Sequence, residues 1–474
     1  MTRRGLSTIS RFVLVGAIGS IALIGSVVGP AGAVPSATTE RVSIGTAGEQ
    51  GNDMAGRFAG PAIDADGSVV AFDSAASTLV PGDSNAEVDV FVRDRATNTL
   101  ERVSVRSNGT QGNDTSTRPA IDATGNLVVF DSSASNLVNG DTNGQLDVFV
   151  HNRTSNRTQR VSVSSDEVQG MGSSHSPSIA GQFVTFISNA PNLVPNDTNG
   201  STDDVFVRDL VAGTTELVSV SSTGEQGNSS STAASISANG RFVAFSSFAS
   251  NLVPDDTNGA FDVFIHDRET GLTERVSVSS GEVEGNAMSV DPTVSRTGRF
   301  VAFYSDATNL VNNDTNDRSD IFVRDRTRGR TERVSVSSDE QQSDGSSPEP
   351  GVRGFTATGP DITPDGRYVT FFSSATNLVP GDTNTCPTFF DNPGTCPDAF
   401  VRDRVAGTTT RVSVFPDGSQ AEERNSDPAI SDDGSTVAFW SAEALVPADT
   451  NICPLFSSFA GNCPDIYVRD LTSP

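Results

Sequence analysis

A set of short motifs recurs seven times along this 474-residue chain, and the repetition restricts the possible folds strongly. Each copy has a strand ending in "RVSV", a Gln/Gly/Asn-rich loop, a "PxI" run, a "VAF" run, an "NLVPxDTNG" loop and a "DVFVRD" strand. The RVS element starts at residues 41, 102, 160, 217, 275, 333 and 411, and DVFVRD starts at 89, 147, 204, 262, 320, 398 and 465. Short apolar runs and turns at such a period predict a radial or stacked repeat fold.

Each copy divides into four strands, a to d. Asp-Gly or Asn-Gly pairs such as Asn239-Gly240 separate strand a from strand b, and they favour tight hairpins because Gly accepts a positive φ. The central "VAF" and "VFV" runs are apolar at consecutive positions, so both faces of each sheet are expected to be buried. Antiparallel sheets packed against copies of themselves are typical of propeller blades.

The two ends of the repeat region complement each other. Residues 41–44 form a strand d with no preceding a, b or c, and residues 465–470 form a strand c with no following d. A ring closed by its own N-terminus accounts for both, whereas an open solenoid would need polar caps. We therefore predict an all-β, seven-bladed β-propeller of four-stranded antiparallel blades over residues 41–474. The predicted blades are 46–105, 106–163, 164–220, 221–278, 279–336, 337–414 and 415–474, the last completed by 41–45.

The run "SxDGRxVAF" followed by "DVFVRD" resembles the TolB-like (PD40-type) repeat, a branch of the WD-like propellers. The resemblance covers residues 41–474 and implies the fold, but propellers host unrelated functions. We expect no separate N-terminal domain of the TolB kind before residue 41, so that family's role with a lipoprotein partner is not expected to carry over. It also lacks the α/β-hydrolase domain and GxSxG elbow of propeller-bearing peptidases, so their activity does not carry over either.

The N-terminal segment has the pattern of an export signal. Arg3, Arg4 and Arg11 precede or flank an apolar stretch at 12–28, and Ala31-Gly32-Ala33 offers a cleavage site. We expect a signal peptide at 1–33, of Sec or twin-arginine type, and a short linker at 34–40. The mature chain is expected to be secreted, extracellular or periplasmic, without a membrane anchor, and monomeric.

Charge and cysteines limit the partners. The net charge of −27 and the absence of lysine disfavour binding to nucleic acid. The matching ten-residue spacings favour the disulfides Cys386–Cys396 and Cys453–Cys463 in an exported chain. A zinc site is the rival interpretation, but the spacing is too wide for CxxC knuckles and no histidine is nearby in sequence.

Long loops carry the candidate sites. The b–c and d–a loops are expected on one rim, which is therefore the predicted functional face. Oxygen ligands at alternate positions suit calcium, while Asx turns that fix the loop are the competing interpretation. The candidate calcium ligands are Asp83, Asn85 and Asp89; Asp141, Asn143 and Asp147; Asp197, Asn199 and Asp203; Asp256, Asn258 and Asp262; and Asp314, Asn316 and Asp320.

Breaks in the repeat point to a partner-binding surface. They include an insertion at 338–360 and two cysteine loops with Phe389, Phe390, Phe456 and Phe459, which we predict as a binding rim. His151 and His266 replace the Arg of "VRD" and are expected as strand residues; His175 alone lies in a rim loop. No catalytic residue is assigned. The leading hypothesis is an exported, non-enzymatic module that binds a protein or glycan. The alternatives are an exported hydrolase of glycans or esters, and a calcium-stabilised structural module.

Overall fold

The computed structural model describes residues 38–56, 58–347, 359–385, 396–453 and 463–471. These residues form 28 strands in seven four-stranded antiparallel sheets, and the described part contains no helix. No segment of the described chain is therefore a helix able to span a membrane. The predicted all-β, seven-bladed propeller is confirmed.

The strands follow one another blade by blade. Blade one has β2 (Ala62–Ile63), β3 (Val69–Ser74), β4 (Asp89–Asp94) and β5 (Thr99–Arg102). Blade two has β6 (Ser116–Ile121), β7 (Leu127–Ser132), β8 (Asp147–Asn152) and β9 (Arg157–Arg160). Blade three has β10 (Ser174–Ala180), β11 (Phe183–Ser188), β12 (Asp204–Asp209) and β13 (Thr214–Leu217). Blade four has β14 (Ser231–Ile236), β15 (Phe242–Ser247), β16 (Asp262–Asp267) and β17 (Leu272–Arg275).

The remaining blades keep the order. Blade five has β18 (Ser289–Val294), β19 (Phe300–Ser305), β20 (Asp320–Asp325) and β21 (Arg330–Arg333). Blade six has β22 (Asp361–Ile362), β23 (Tyr368–Ser373), β24 (Asp398–Asp403) and β25 (Thr408–Arg411). Blade seven has β26 (Asn425–Ile430), β27 (Thr436–Ser441), β28 (Asp465–Asp470) and β1 (Thr38–Arg41).

The first strand closes the ring. Thr38 lies opposite Asp470 and Arg41 opposite Tyr467 in an antiparallel pair, and Val42 N–H donates to Ile466 O at 2.9 Å. Closure by the N-terminal strand is thus confirmed, although β1 starts before the predicted 41–45 and takes in part of the predicted linker. The backbone ladder between strands c and d ends at the RVS element, because there the serine side chain, and not the backbone, accepts a hydrogen bond from strand c. In blade one, Ser104 Oγ accepts a hydrogen bond from Val90 N–H at 3.1 Å.

The core lies between neighbouring blades. Strands b and c bury almost every side chain on both faces, as the apolar runs predict. Each blade also pairs one aromatic ring of strand b with one of strand c, for example Phe72 with Phe91 at 5.9 Å between ring centroids. A fully buried Phe contributes about 1.5–3 kcal/mol, so these pairs are a major part of the packing energy.

In six of the seven blades a glycine in the a–b turn packs against the previous blade, at the end opposite the long loops; Gly181 of blade three has open surroundings. Gly366 has a φ of +73°, and a Cβ there would lie 2.2 Å from Phe300 of blade five. The Arg404 guanidinium lies 4.7 Å from the centroid of the same ring. Only a residue without a side chain fits both the turn and this contact.

The inner strands of successive blades contact one another around the axis. In five blades the strand is interrupted by a register shift with a residue of positive φ nearby; these are Arg118, Ser176, Ala233, Asp291 and Asp427. A bulge of this kind turns a side chain out of the ladder. The fully formed strands a are consequently longer than the predicted "PxI" runs.

Candidate functional site

The b–c and d–a loops lie at the same end of the blades, as predicted, and are called the upper rim below. In the described residues the rim comprises 42–56, 75–88, 103–115, 133–146, 161–173, 189–203, 218–230, 248–261, 276–288, 306–319, 334–347, 374–385, 412–424 and 442–453. Side-chain amides tie the loops together: Asn228 Nδ2 donates to Ser250 Oγ at 3.1 Å, and Asn251 Nδ2 donates to Gln226 O at 2.9 Å. The rim is therefore a set of fixed loops on a rigid scaffold.

An arginine occupies the space between the carboxylates predicted to bind calcium. In blade two, Arg160 Nη1 lies 3.3 Å from Asp141 and 3.1 Å from Asp147. Gln169 Nε2 donates to the same two carboxylates, at 2.9 and 3.1 Å. Asn143 Oδ1 accepts from the N–H of Gln145 at 3.0 Å, which is the geometry of an Asx turn.

The same guanidinium contact recurs around the ring. It is made by Arg41, Arg102, Arg275, Arg333 and Arg411 in their own blades. In six of the seven blades, an arginine side chain therefore lies beside the pair of carboxylates that was predicted to bind calcium. The loop sequence alone does not indicate this arginine, because it belongs to strand d and not to the b–c loop.

One acidic cluster has the spacing of a possible metal site. Ligand atoms of Asp256, Asp262 and Glu284 all lie within 4.8 Å of one another. Arg275 Nη1 is 3.7, 3.4 and 2.5 Å from these three carboxylates. Burial raises the pKa of Asp262 to about 6, so the arginine compensates a carboxylate that is costly to hold ionised.

Blade three lacks this arginine, because Leu217 stands in its place. Gln226 Nε2 bridges two carboxylates there, at 2.9 Å from Asp197 and 2.8 Å from Asp204, so the second carboxylate of the pair is Asp204 and not the predicted Asp203. Burial raises the pKa of Asp204 to about 6. Among the described residues, no hydrogen-bond partner is found for the buried Oδ1 atoms of Asn199 and Asp203.

All three histidines lie in strands of the blades, and the prediction that His175 lies in a rim loop is wrong, because β10 begins at Ser174. His151 Nδ1 is 2.9 Å from Thr158 Oγ1, and His266 Nδ1 is 2.9 Å from Thr273 Oγ1. Both imidazoles are buried, and burial lowers their pKa values. They hold strand c against strand d, as neutral hydrogen-bonding groups.

An unrepeated polar cluster lies where strand a of blade three meets blade two. Asp131, which is fully buried, accepts hydrogen bonds from Thr117 Oγ1 at 2.5 Å, Arg118 Nη1 at 3.2 Å and Ser176 N–H at 3.1 Å. Burial lowers the pKa of the adjoining His175, and the Asp131 carboxylate opposes that shift. The sequence signal for this cluster is the Asp of "VVFDS", which blade one shares as Asp73 and which later blades replace by apolar residues or Ser.

Blade four carries a pair of aromatic side chains on the upper rim. Phe248 is 46% exposed, and its ring centroid lies 5.4 Å from that of Phe261 at an interplanar angle of 58°. Other apolar side chains on this rim are Met171 at 70% and Val283 at 56% exposure. Met171 and Phe248 depart from the repeat, whereas Val283 has a counterpart in Val168 of the loop entering blade three, which is 52% exposed. A comparison of the copies would have found these side chains.

The cysteine loops are partly described. Cys453 and Cys463 form a disulfide, as predicted. Cys396 is also disulfide-bonded, and its predicted partner Cys386 lies outside the described residues. The predicted contact residues Phe389, Phe390, Phe456 and Phe459 lie outside them as well, as do residues 348–358 of the insertion at 338–360.

The fold defines a seven-bladed β-propeller, and comparison with known proteins adds similarity at the level of the fold. No family profile and no curated protein matches the chain. A protein assigned as TolB from Agrobacterium tumefaciens is similar over 79% of this chain and 95% of its own, at 13% identity and a TM-score of 0.39. TolB from Acinetobacter baumannii gives the same identity, TM-score and coverage of this chain, over 66% of its own length. An oligogalacturonate lyase from Vibrio parahaemolyticus is similar over 92% of this chain and 97% of its own, at 12% identity and a TM-score of 0.49.

Proposed function

We propose that this propeller is an exported, non-enzymatic binding module that holds a protein or glycan partner through its upper rim. The observation that supports this most is the exposure of apolar side chains on the upper rim of consecutive blades. Met171 belongs to the loop entering blade three, Phe248 to blade four and Val283 to the loop entering blade five. Exposed apolar groups surrounded by polar ones are typical of interaction surfaces.

The stiffness of the rim supports the same proposal. Neighbouring loops are joined by hydrogen bonds between side chains and backbone, as for Asn228 and Ser250, and by the buried arginine contacts. A surface that is ordered before binding loses little entropy on association. The upper rim is therefore suited to bind a partner without a conformational change of its loops.

The location proposed for the protein follows from its N-terminal segment and its disulfides. Residues 1–33 lie outside the described residues and are proposed as the export signal. The Cys453–Cys463 bridge suits an oxidising compartment, either extracellular or periplasmic. We propose a monomer, released without a membrane anchor.

The rim proposal is tested with paired charge substitutions. Met171→Asp with Val283→Asp places two carboxylates on the upper rim. Val211→Asp with Val405→Asp does the same at the opposite end, where both valines are 77% exposed. Chemical cross-linking to the envelope and culture medium of the producing cells, followed by mass spectrometry and glycan analysis, is expected to recover a partner with wild type and the second variant only. Equal recovery with both variants would contradict the rim assignment.

An exported hydrolase of glycans or esters is the second candidate. The observation in its favour is the unrepeated group of His175, Asp131 and Arg118. Against it, Asp131 already accepts three hydrogen bonds from the protein, which indicates a structural role. A substrate screen with wild type and His175→Ala decides: turnover that disappears in the variant would replace the binding proposal.

A calcium-stabilised module is the third candidate, and blade three supports it best. Leu217 leaves the Asp197 and Asp204 carboxylates without the guanidinium present in the other six blades. A cation bound there should raise the melting temperature, and Leu217→Arg should abolish that rise by supplying the charge internally. Equal melting curves for wild type in calcium and in chelator would eliminate this candidate.

A further inference from the structure

A groove opens on the upper rim of blade four. Its volume is about 420 Å³, within the range of about 300–1,000 Å³ found for small-ligand sites. It is lined mainly by uncharged side chains, with one aromatic ring: Asn228, Ser229, Phe248, Ser250, Asp256 and Thr257. The groove therefore offers one apolar face among hydrogen-bonding groups.

The aromatic face is held in place. Phe248 is exposed on the groove side, while the tilted ring of the half-buried Phe261 supports it from the other. Blades one, two and five have Ala, Ser or Asp at the Phe248 position and Val, Leu or Ser at the Phe261 position. An aromatic ring carries partial negative charge on its face, which attracts the C–H groups on the apolar face of a pyranose ring.

The polar groups of the groove are oriented before any ligand binds. Asn228 Nδ2 donates to Ser250 Oγ at 3.1 Å, and Asn228 Oδ1 accepts from Ser250 N–H at 3.0 Å. Thr257 Oγ1 donates to Glu284 Oε2 at 2.7 Å. Each of these side-chain oxygens keeps acceptor capacity, so sugar hydroxyls can donate to them in fixed directions.

Charge selects among possible ligands. Asp256 is the carboxylate of this lining, and Arg275 Nη1 lies 3.7 Å from it. The net charge of −27 repels polyanions such as uronate or sulfate polymers. A protein interface of standard size needs about 800 Å² per partner, far more than one aromatic ring and four polar side chains provide.

We propose that the blade-four groove binds a neutral glycan, with one sugar ring stacked on Phe248 and its hydroxyls bonded to Asn228, Ser250 and Thr257. This inference rests on the proposed binding function of the upper rim and names its ligand class. The groove accommodates a short stretch of one chain, so binding to a polymer is of moderate affinity and increases with the number of accessible residues.

Affinity electrophoresis in native gels tests this proposal. Gels contain dextran, mannan, amylopectin or galactomannan as neutral probes, and polygalacturonate as the anionic probe. At least one neutral polysaccharide is expected to retard the wild type, and polygalacturonate is not. Phe248→Ala should weaken the retarding interaction at least tenfold. Leu272→Ala is the matched control, because Leu272 is an apolar residue of the same blade, 59% exposed, at the opposite end; it should behave as wild type.

The outcomes separate this inference from the function on which it rests. Absence of retardation in every neutral gel, or retardation unchanged by Phe248→Ala, overturns the glycan site. If the Met171→Asp, Val283→Asp variant still loses a captured partner in that case, the rim function stands and only the ligand class is wrong. If the substitutions weaken neither polysaccharide retardation nor partner capture, both the glycan site and the rim function are overturned. Melting curves of Phe248→Ala that match wild type show that the effect is not due to unfolding.

Discussion

Replacement of Arg41 by leucine should open the ring at its closure. Arg41 Nη1 contacts Asp449 at 2.5 Å and Asp465 at 3.4 Å, and these three side chains are only 1–2% exposed. Removal of one partner from a buried ion pair costs about 3–5 kcal/mol. The lower end of this range is expected, because Ser43 Oγ still donates to Asp465 at 2.5 Å. Leu217 shows that a blade tolerates leucine at this position sterically.

The loss should depend on pH. Burial, and then the neighbouring Asp449, raise the pKa of Asp465, while Arg41 lowers it. Without Arg41 the folded-state pKa rises further above the unfolded value. An elevated carboxyl pKa costs stability above that pKa, and the cost disappears as the pH falls towards the unfolded value. Arg41→Leu should therefore be more destabilising at pH 8 than at pH 5.

Urea unfolding followed by two probes measures the effect. Trp440, the single tryptophan, lies in blade seven and donates from Nε1 to Ala55 O at 3.0 Å, across the junction with blade one. In Arg41→Leu the fluorescence midpoint should fall below the circular dichroism midpoint, because the last blade opens first. Arg102→Leu makes the same deletion within blade one and should keep the midpoints together. A loss under about 1 kcal/mol at pH 8, the size of a surface ion pair, or identical behaviour of both variants would refute the reasoning.

Three further outcomes are expected. Gly366→Ala should lower the free energy of unfolding by about 3 kcal/mol, because it combines backbone strain with overpacking. Gly381→Ala should lower it by about 1–2 kcal/mol, because its φ of +76° is similar but its surroundings are open. Equal melting temperatures of the two variants would contradict this. Replacement of Cys453 and Cys463 by serine should lower the free energy of unfolding by about 3 kcal/mol through loss of loop closure, and urea curves like those of wild type would contradict it. Because burial raises the pKa of Asp398 to about 7, its contribution to stability is lost as the pH rises through that value. The melting temperature of wild type relative to that of Asp398→Asn should thus increase from pH 8 to pH 5, and a relative decrease would count against the burial argument.

The architecture follows from the sequence because the signals are local and repeated. Consecutive apolar residues in runs such as Val90-Phe91-Val92 required sheets buried on both faces, and the unmatched strands at the two ends required closure. The start of β1 at Thr38 was missed because Thr38-Thr39-Glu40 carries no apolar signal. The bulge at Arg118 was missed because it depends on the packing of inner strands around the axis.

The rim was less predictable because its decisive contacts join distant parts of the chain. The loop around Asp141 has a calcium-like pattern when considered alone, and only the fold shows Arg160 beside it. His175 and Asp131 lie in different blades, so no spacing in the sequence pairs them. Phe248 was visible as a departure from the repeat, but its support by Phe261 required the loop conformation.

The pairing of β1 with β28 also has a consequence for folding, because the last blade combines strands from both ends of the propeller. Thr38 and Asp470, whose side chains are hydrogen-bonded, are 432 positions apart. Strand β1 is made before the other strands of the propeller, and it can pair only after β28 has been made. The entropic cost of joining such distant segments grows only with the logarithm of their separation, but until then the nascent chain carries an open strand edge prone to pairing with other molecules. A stalled or truncated product would keep that edge, which makes completion of synthesis a condition for solubility.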